Sequence, residues 1–245
     1  FNRYDLWGAN YSTAFYDMQA SILPTTNNKG VRLQLSTKDK SGKLTYGVNG
    51  KHYQKNYTAP VLFTENSEVL ALYTNRKGFI DTAVFKLQFN KATGKKITLK
   101  NNPSRSYPGD GAFTLVNGVQ NTAGLARSRE FLGFNNSDLE ATIDLGTPQK
   151  IEKVTVHTLT SEGSWIYAPS GGELWTSVDG KTFKKADGKV QMKEGPNGNG
   201  ELEITIPPAN TRFVKVVVNR LASIPQGKPG YGNKAWLFAD EIEIH

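Results

Sequence analysis

Apolar and polar residues exchange places at a period of two along most of this chain, which restricts it to strands with one buried face. Val31, Leu33 and Leu35 alternate with Arg32 and Gln34. Leu44, Tyr46 and Val48 alternate with Thr45 and Gly47, then meet the turn pair Asn49-Gly50. Val69, Ala71 and Tyr73 repeat the pattern, as do Phe85, Leu87 and Phe89. Farther on it returns in Leu139, Ala141, Ile143 and Leu145, and in Val154, Val156 and Thr158. Leu174 and Thr176 lead to Asp179-Gly180; Leu202, Ile204 and Ile206 stop at Pro207-Pro208. Val214, Val216 and Val218 follow, and Ile242 and Ile244 close the chain. The spacing predicts an all-β protein: roughly four to six short strands that fit a small sandwich, then about eight that suit a jelly roll. Helical periodicity is confined to residues 1–20, where Leu6, Trp7, Asn10, Tyr11 and Ala14 share one face.

The polar run "NKATGKKITLKNNPSRSYPGDG" interrupts the strands and places a domain boundary near residues 90–96. No apolar run approaches the roughly 18 residues of a membrane helix. Phe1 is not a natural start, so the chain reads as a piece cut from a longer precursor. With no cysteine among 245 residues, disulfides, thiolate zinc sites and a cysteine nucleophile are excluded. The net charge of +8 admits a nucleic-acid or anionic partner. The densest basic run, "KATGKK", lacks the interleaved aromatics on which bases stack, so a solvated basic surface is the better reading.

Catalytic patterns fail one by one. "KATGKKIT" has Phe89 where a phosphate loop needs its first glycine, and Lys96 where it needs Ser or Thr. "GDGAFT" has Thr114 in place of the third glycine of a dinucleotide fingerprint. His52, His157 and His245 are far apart and read as surface or structural residues. A glycosidase needs two convergent acids. Asp138/Glu140 and Asp240-Glu241 are the available pairs, but Asp240 and Glu241, adjacent on a regular strand, would face opposite ways, and acids at strand ends are expected in solvent.

Six blocks occur in order after residue 105: "GDGAFTLVNG", "EFLGFNNSDLEATIDLG", "KIEKVTVHTL", "LWTSVDGKTF", "RFVKVVVNR" and "AWLFADEIEI". Together they resemble the discoidin-like (F5/8 type C, carbohydrate-binding family 32-like) module at the end of many bacterial family 20 glycoside hydrolases, the β-N-acetylhexosaminidases or chitobiases. Residues 1–18 resemble the tail that follows the catalytic barrel of those enzymes. Residues 19–90 resemble their C-terminal fibronectin-like sandwich, although "LTYGVNGKHYQ" departs from the usual hairpin there. Residues 91–104 are then linker and entry strand, and 105–245 the galactose-binding-domain-like jelly roll. The resemblance implies a non-catalytic accessory region, since the barrel with its Asp-Glu pair is not in this sequence. It also implies an exported bacterial protein, periplasmic, surface-attached or secreted. Its partners would be glycans with galactose-type or N-acetylhexosamine ends and the barrel of the same polypeptide, not nucleic acid.

Sugar recognition needs an aromatic face and bidentate polar groups. The aromatics outside the strand alternation are Trp165, Tyr167, Tyr231 and Trp236; of these Trp165 in "SEGSWIYAPSGG", Tyr231 in "GKPGYGNKAW" and Trp236 are the stacking candidates. Arg127 and Glu130 in "GLARSREF" are the candidate hydroxyl contacts. Related modules hold a structural calcium between a "DG" loop and the C-terminal acid. The resemblance carries that site onto Asn117, Thr122 and Glu241, with Asn117 in place of the family's Asp. Calcium, sodium, a water or no ion are its alternatives. The competing functional reading is a structural tail that braces the barrel and binds no sugar; exposed loop aromatics favour the first reading, buried Trp165 and Trp236 the second.

Overall fold

The structure is a computed structural model and describes residues 17–50, 55–76 and 78–245. His52 and most of the helical candidate over 1–20 lie outside the described residues. Where that candidate is described, its end is already strand β1, Met18–Pro24.

The first sandwich has two sheets. One is β1–β2–β5, with β2 at Val31–Thr37 and β5 at Val61–Phe63. The other is β4–β3–β6–β7, made from Lys55–Asn56, Lys43–Val48, Ser67–Thr74 and Ile80–Leu87 respectively. The alternation explains the core directly. Val31, Leu33 and Leu35 from one sheet face Val69 and Ala71 from the other, all buried. Asn49 and Gly50 both take positive φ just where β3 ends.

The second sandwich is one continuous sheet folded over on itself. Its two 21-residue strands, β10 (Leu139–Leu159) and β14 (Asn199–Asn219), pair antiparallel along their whole length. Register shifts between Asp144/Gln149 and Ile151/Lys153 break the ladder midway. On one side of the break the order is β8–β10–β14–β11–β12; on the other it is β13–β14–β10–β15–β9. The added strands are β8 (Lys96–Leu99), β9 (Leu132–Phe134), β11 (Gly171–Ser177), β12 (Lys184–Lys185), β13 (Lys189–Glu194) and β15 (Leu237–Ile244). Ala141, Ile143 and Val216 from the first half and Val154, Val156, Leu202 and Ile242 from the second meet in one core.

The segment 88–95, which contains the start of the polar run, is a pinned turn. Gln88 N–H donates to Gly118 O at 2.8 Å, Gly94 N–H to Val116 O at 2.7 Å, and Leu87 bridges Val119. Lys91 N–H donates to Ile244 O at 3.1 Å, while Ile244 N–H donates to Asn90 Oδ1 at 3.2 Å. A methyl group on Gly94 would stand 2.3 Å from Gly30 O, so the two sandwiches touch backbone to backbone.

Leu139 is fully buried in the second core, so Leu139→Ala is expected to cost about 2–5 kcal/mol by urea denaturation. Val178→Ala, at an exposed turn, is expected to change stability by less than about 0.5 kcal/mol.

Candidate ligand-binding site

The loops at one end of the second sandwich separate into an aromatic tip and an acidic floor. The tip is the segment 224–235. Ile224 N–H donates to Asn233 O, Gly232 N–H to Ile224 O and Tyr231 N–H to Lys228 O, which closes the loop on itself. Tyr167 is buried beneath it and donates its hydroxyl to Pro229 O at 2.8 Å. Lys228 pairs with Glu162 at 2.8 Å and ties the loop to the turn that carries Trp165.

Trp165 takes a left-handed conformation, φ 60°, at the end of the turn Glu162–Ser164. Its backbone is fixed by Trp165 N–H to Glu162 O and Trp236 N–H to Trp165 O. Its indole lies on Gly230, where a methyl group would meet the ring at 2.6–2.7 Å. Gly230 therefore has two reasons to lack a side chain, this contact and its φ of 83°. Trp165 remains 40% exposed and Tyr231 64% exposed. Trp236 is seated differently. It packs edge-on against Tyr107 at 5.4 Å and Phe238 at 5.8 Å, over the buried cluster of Phe131, Leu159 and Ile166. Of the three predicted stacking residues, the structure therefore exposes Trp165 and Tyr231 and makes Trp236 part of the plug beneath them.

Arg127 and Glu130 belong to the other group. They pair at 3.3 Å on the 3-10 segment Gly124–Glu130, and Glu130 also accepts from Asn121 Nδ2 at 2.8 Å. Burial raises the Glu130 carboxyl above its usual range, against the pull of Arg127. These residues line a cleft that Trp165 and Tyr231 do not reach.

Asp240 and Glu241 overturn the expectation that they are solvated. They are 2% and 1% exposed. They also escape the rule that neighbours face opposite ways. His157 pairs with Glu241 and Thr158 with Ala239, so Asp240 is the extra residue of a β-bulge. The bulge aims both carboxylates at one loop. Glu241 Oε1 and Oε2 accept from Gly118 N–H at 3.2 Å, and Asp240 Oδ2 accepts from Asn121 N–H. Burial pushes the Asp240 carboxyl up to about 7, against the pull of Asn121 N–H and of His157. Burial, then the charge of Asp240, raises Glu241 well above the usual range. Nearby, Gln120 Nε2 stands 2.7 Å from His157 Nε2 and donates to Glu243 Oε1 at 2.9 Å. Burial alone would lower the His157 pKa; Glu243, Asp240 and Glu201 outweigh it and raise it. The sequence signal for this group is the pair of consecutive acids in "FADEIEI", which breaks a strict alternation. The other acids have structural partners: Asp138 accepts from Arg220 N–H at 3.0 Å, and Glu140 pairs with Lys100 at 2.9 Å.

The residues carried over for a metal are brought together only in part. Glu241 lies against the backbone of Asn117 and Gly118. Asn117 Oδ1 accepts from Val119 N–H at 2.8 Å and brings no charge. Thr122 is exposed, and its carbonyl accepts from Asn197 Nδ2 at 3.0 Å. No group of three or more His, Cys, Asp and Glu suited to a metal occurs among the described residues. Glu241 nonetheless fits an oxygen-ligand cation: a fully buried carboxylate in no ion pair among the described residues, beside a second one, is the charge such an ion takes.

The sequence profile of the F5/8 type C domain matches residues 96–236, more than half of the chain. The chain belongs to the F5/8 type C domain family. Its F5/8 type C module is the folded-over sheet with the aromatic tip. No curated protein matches the chain. Similar solved structures include the lectin domain of lectinolysin complexed with Lewis B antigen, at 19% identity and TM-score 0.40, covering 65% of this chain and 97% of that one. Another is CpGH89CBM32-5 from Clostridium perfringens in complex with GalNAc-β-1,3-galactose, at 19% identity and TM-score 0.39, covering 61% and 93%. A third is chitosan-binding module 1 of a chitosanase/glucanase from Paenibacillus sp. IK-5, at 17% identity and TM-score 0.40, covering 64% and 99%.

The acidic floor of the F5/8 type C module sets a pH dependence. Above the ordinary carboxylate range and up to about 7, folded Asp240 keeps a proton that the unfolded chain has released, so stability falls as pH rises through this window. His157 acts in the same direction: its contribution is present below the ordinary value and is lost as pH rises through the raised one. Glu243, lowered chiefly by the neighbouring His157, 3.8 Å away, acts oppositely, but its window lies below the ordinary 4.5. The urea midpoint is expected to be higher at about pH 5 than at about pH 8. Asp240→Asn, which keeps an acceptor for Asn121, is expected to flatten that profile.

Proposed function

We propose that the chain is a carbohydrate-binding accessory region, and that its F5/8 type C module holds a sugar ring on Trp165 and Tyr231. The observation that carries this reading is the braced tip: two aromatics kept exposed by a self-bonded loop, with Gly230 left bare so that the indole can lie on the backbone. Holding the rings before the ligand arrives removes part of the ordering cost of binding. Stacking a sugar face on each ring contributes on the order of 1 kcal/mol by analogy with aromatic pairs. The affinity then falls in the high micromolar to millimolar range, roughly 4–6 kcal/mol in all. Such weak sites act by tethering, which raises the local concentration of whatever is linked to them.

The similar structures in complex with Lewis B antigen and with GalNAc-β-1,3-galactose support galactose-type and N-acetylhexosamine ends as ligands. The finer reading rests on the order of the sequence blocks. It makes the region part of an exported bacterial family 20 β-N-acetylhexosaminidase, with residues 19–90 as its fibronectin-like sandwich, and gives this chain no hydrolase activity of its own. If calcium is held, Glu241 and Asn117 would hold it, and it would supply the positive charge that the buried acids lack.

Galactose and N-acetylgalactosamine are expected to give saturable NMR shifts with the wild type. Trp165→Ala and Tyr231→Ala should each weaken binding by about fivefold to tenfold with the fold intact. Gly230→Ala should do the same by displacing the indole. No saturable shift with either sugar would favour the structural-tail reading instead. Calcium is expected to raise the melting temperature by mass action, and chelation to reverse this. Glu241→Gln should abolish the response.

A further inference from the structure

A cavity of about 630 Å³ lies between the two sandwiches. Its size is that of a small-molecule site, and such sites favour the junctions of domains. One wall is the stretch Thr82–Lys86 of β7 together with Ala20, Ser21 and Ile22 of β1. Both are edge strands of their sheets, so this is the open side of the first sandwich. The facing wall is the loop 117–123 with Arg127, Arg129 and Glu130, and Asp240 lies at the floor.

The chemistry of this cleft differs from that of the aromatic tip. Phe85 is the aromatic among its lining residues, and it packs into the first core, so a stacking platform is missing. Charge of both signs lines it: Lys86, Arg127 and Arg129 on one hand, and the acids Asp110, Glu130 and Asp240 on the other. Lys86 and Arg129 are exposed, and their side chains form no ion pair or hydrogen bond among the described residues. Arg127 spends one contact on Glu130 and retains further donors. Glu130 in turn is shared between Arg127 and Asn121. Two cations without an ion pair, one from each wall, therefore line a cleft whose buried carboxyl, Asp240, has Oδ2 already engaged by Asn121 N–H.

We propose that this cleft is a second glycan site, which takes an anionic sugar, carboxylated or sulfated, between Lys86 of the first sandwich and Arg129 of the F5/8 type C module. Its hydroxyls would meet Glu130 and Asp240 at the floor. The proposal rests on the reading of the chain as glycan-binding but not on the Trp165 platform. Because the walls come from different sandwiches, the ligand bridges them. The first sandwich then becomes part of the recognition surface.

The test is titration of the full chain with a galacturonic acid trimer, galactose 6-sulfate and neutral galactotriose. The two anionic probes show whether a carboxylate or a sulfate is preferred. At least one should bind more tightly than the neutral sugar at low salt, and the preference should shrink as salt is raised. A Lys86→Ala/Arg129→Ala double variant changes exposed side chains only, and a coincident melt checks its fold. It should lose about tenfold in affinity for the anionic probe, the scale of a charge-assisted hydrogen bond. Its galactotriose binding should be unchanged. Trp165→Ala should show the reverse. The proposal is overturned if the double variant retains the anionic preference, if Trp165→Ala abolishes it, or if the wild type shows none. Binding of the neutral trimer alone leaves the sugar-binding reading standing and sinks the cleft. Failure of all three probes sinks both.

Discussion

Two carboxylates on the last strand are kept from water, and the loop that covers them is the part of the molecule on which most else leans. Burying an acid is costly unless its oxygens are satisfied. Here backbone N–H groups of Gly118 and Asn121 supply the partners, so the loop 117–121 is drawn down onto β15. The other side of that loop carries the bonds to the first sandwich, through Gly118 O and Val119. Position matters at Gly118, where a methyl group would stand 2.9 Å from Thr93 Cγ2 and 3.0 Å from Gln88 O. The acids and the junction of the sandwiches therefore share one loop.

The strands that bury one face and wet the other were legible in the sequence, because a period of two is all that such a strand requires. Val31–Leu35, Leu139–Leu145 and Val214–Val218 are found as the alternation places them. Strands without a one-sided environment were not legible. β1 is only partly buried along most of its length, and β13 is an edge strand that is largely exposed, so neither needed an alternating pattern. The folding of one sheet into two layers was also hidden, since it depends on where the β10–β14 ladder slips rather than on which residues are apolar.

The same distinction holds at the loops. Trp165 and Tyr231 could be singled out because glycines and prolines around them mark loops, and the structure leaves both exposed. The sequence could not tell that Trp236, one residue ahead of β15, rests on Tyr107 and Phe238, since Tyr107 lies far away in the chain. Nor could it separate Arg127 and Glu130 from the aromatics. Which surface a loop residue faces is set by long-range packing. Asp240 was misjudged for a local reason: the bulge suspends the strand rule where it and Glu241 sit.

The bonds between Lys91 and Ile244 and between Ile244 and Asn90 hold the turn that leads into the folded-over sheet against the end of its last strand. A polypeptide that enters this unit and continues past it leaves from the place where it came in. Such a unit adds a binding surface to a longer chain while scarcely displacing the path of that chain, so it can be spliced into a surface loop as readily as hung from an end.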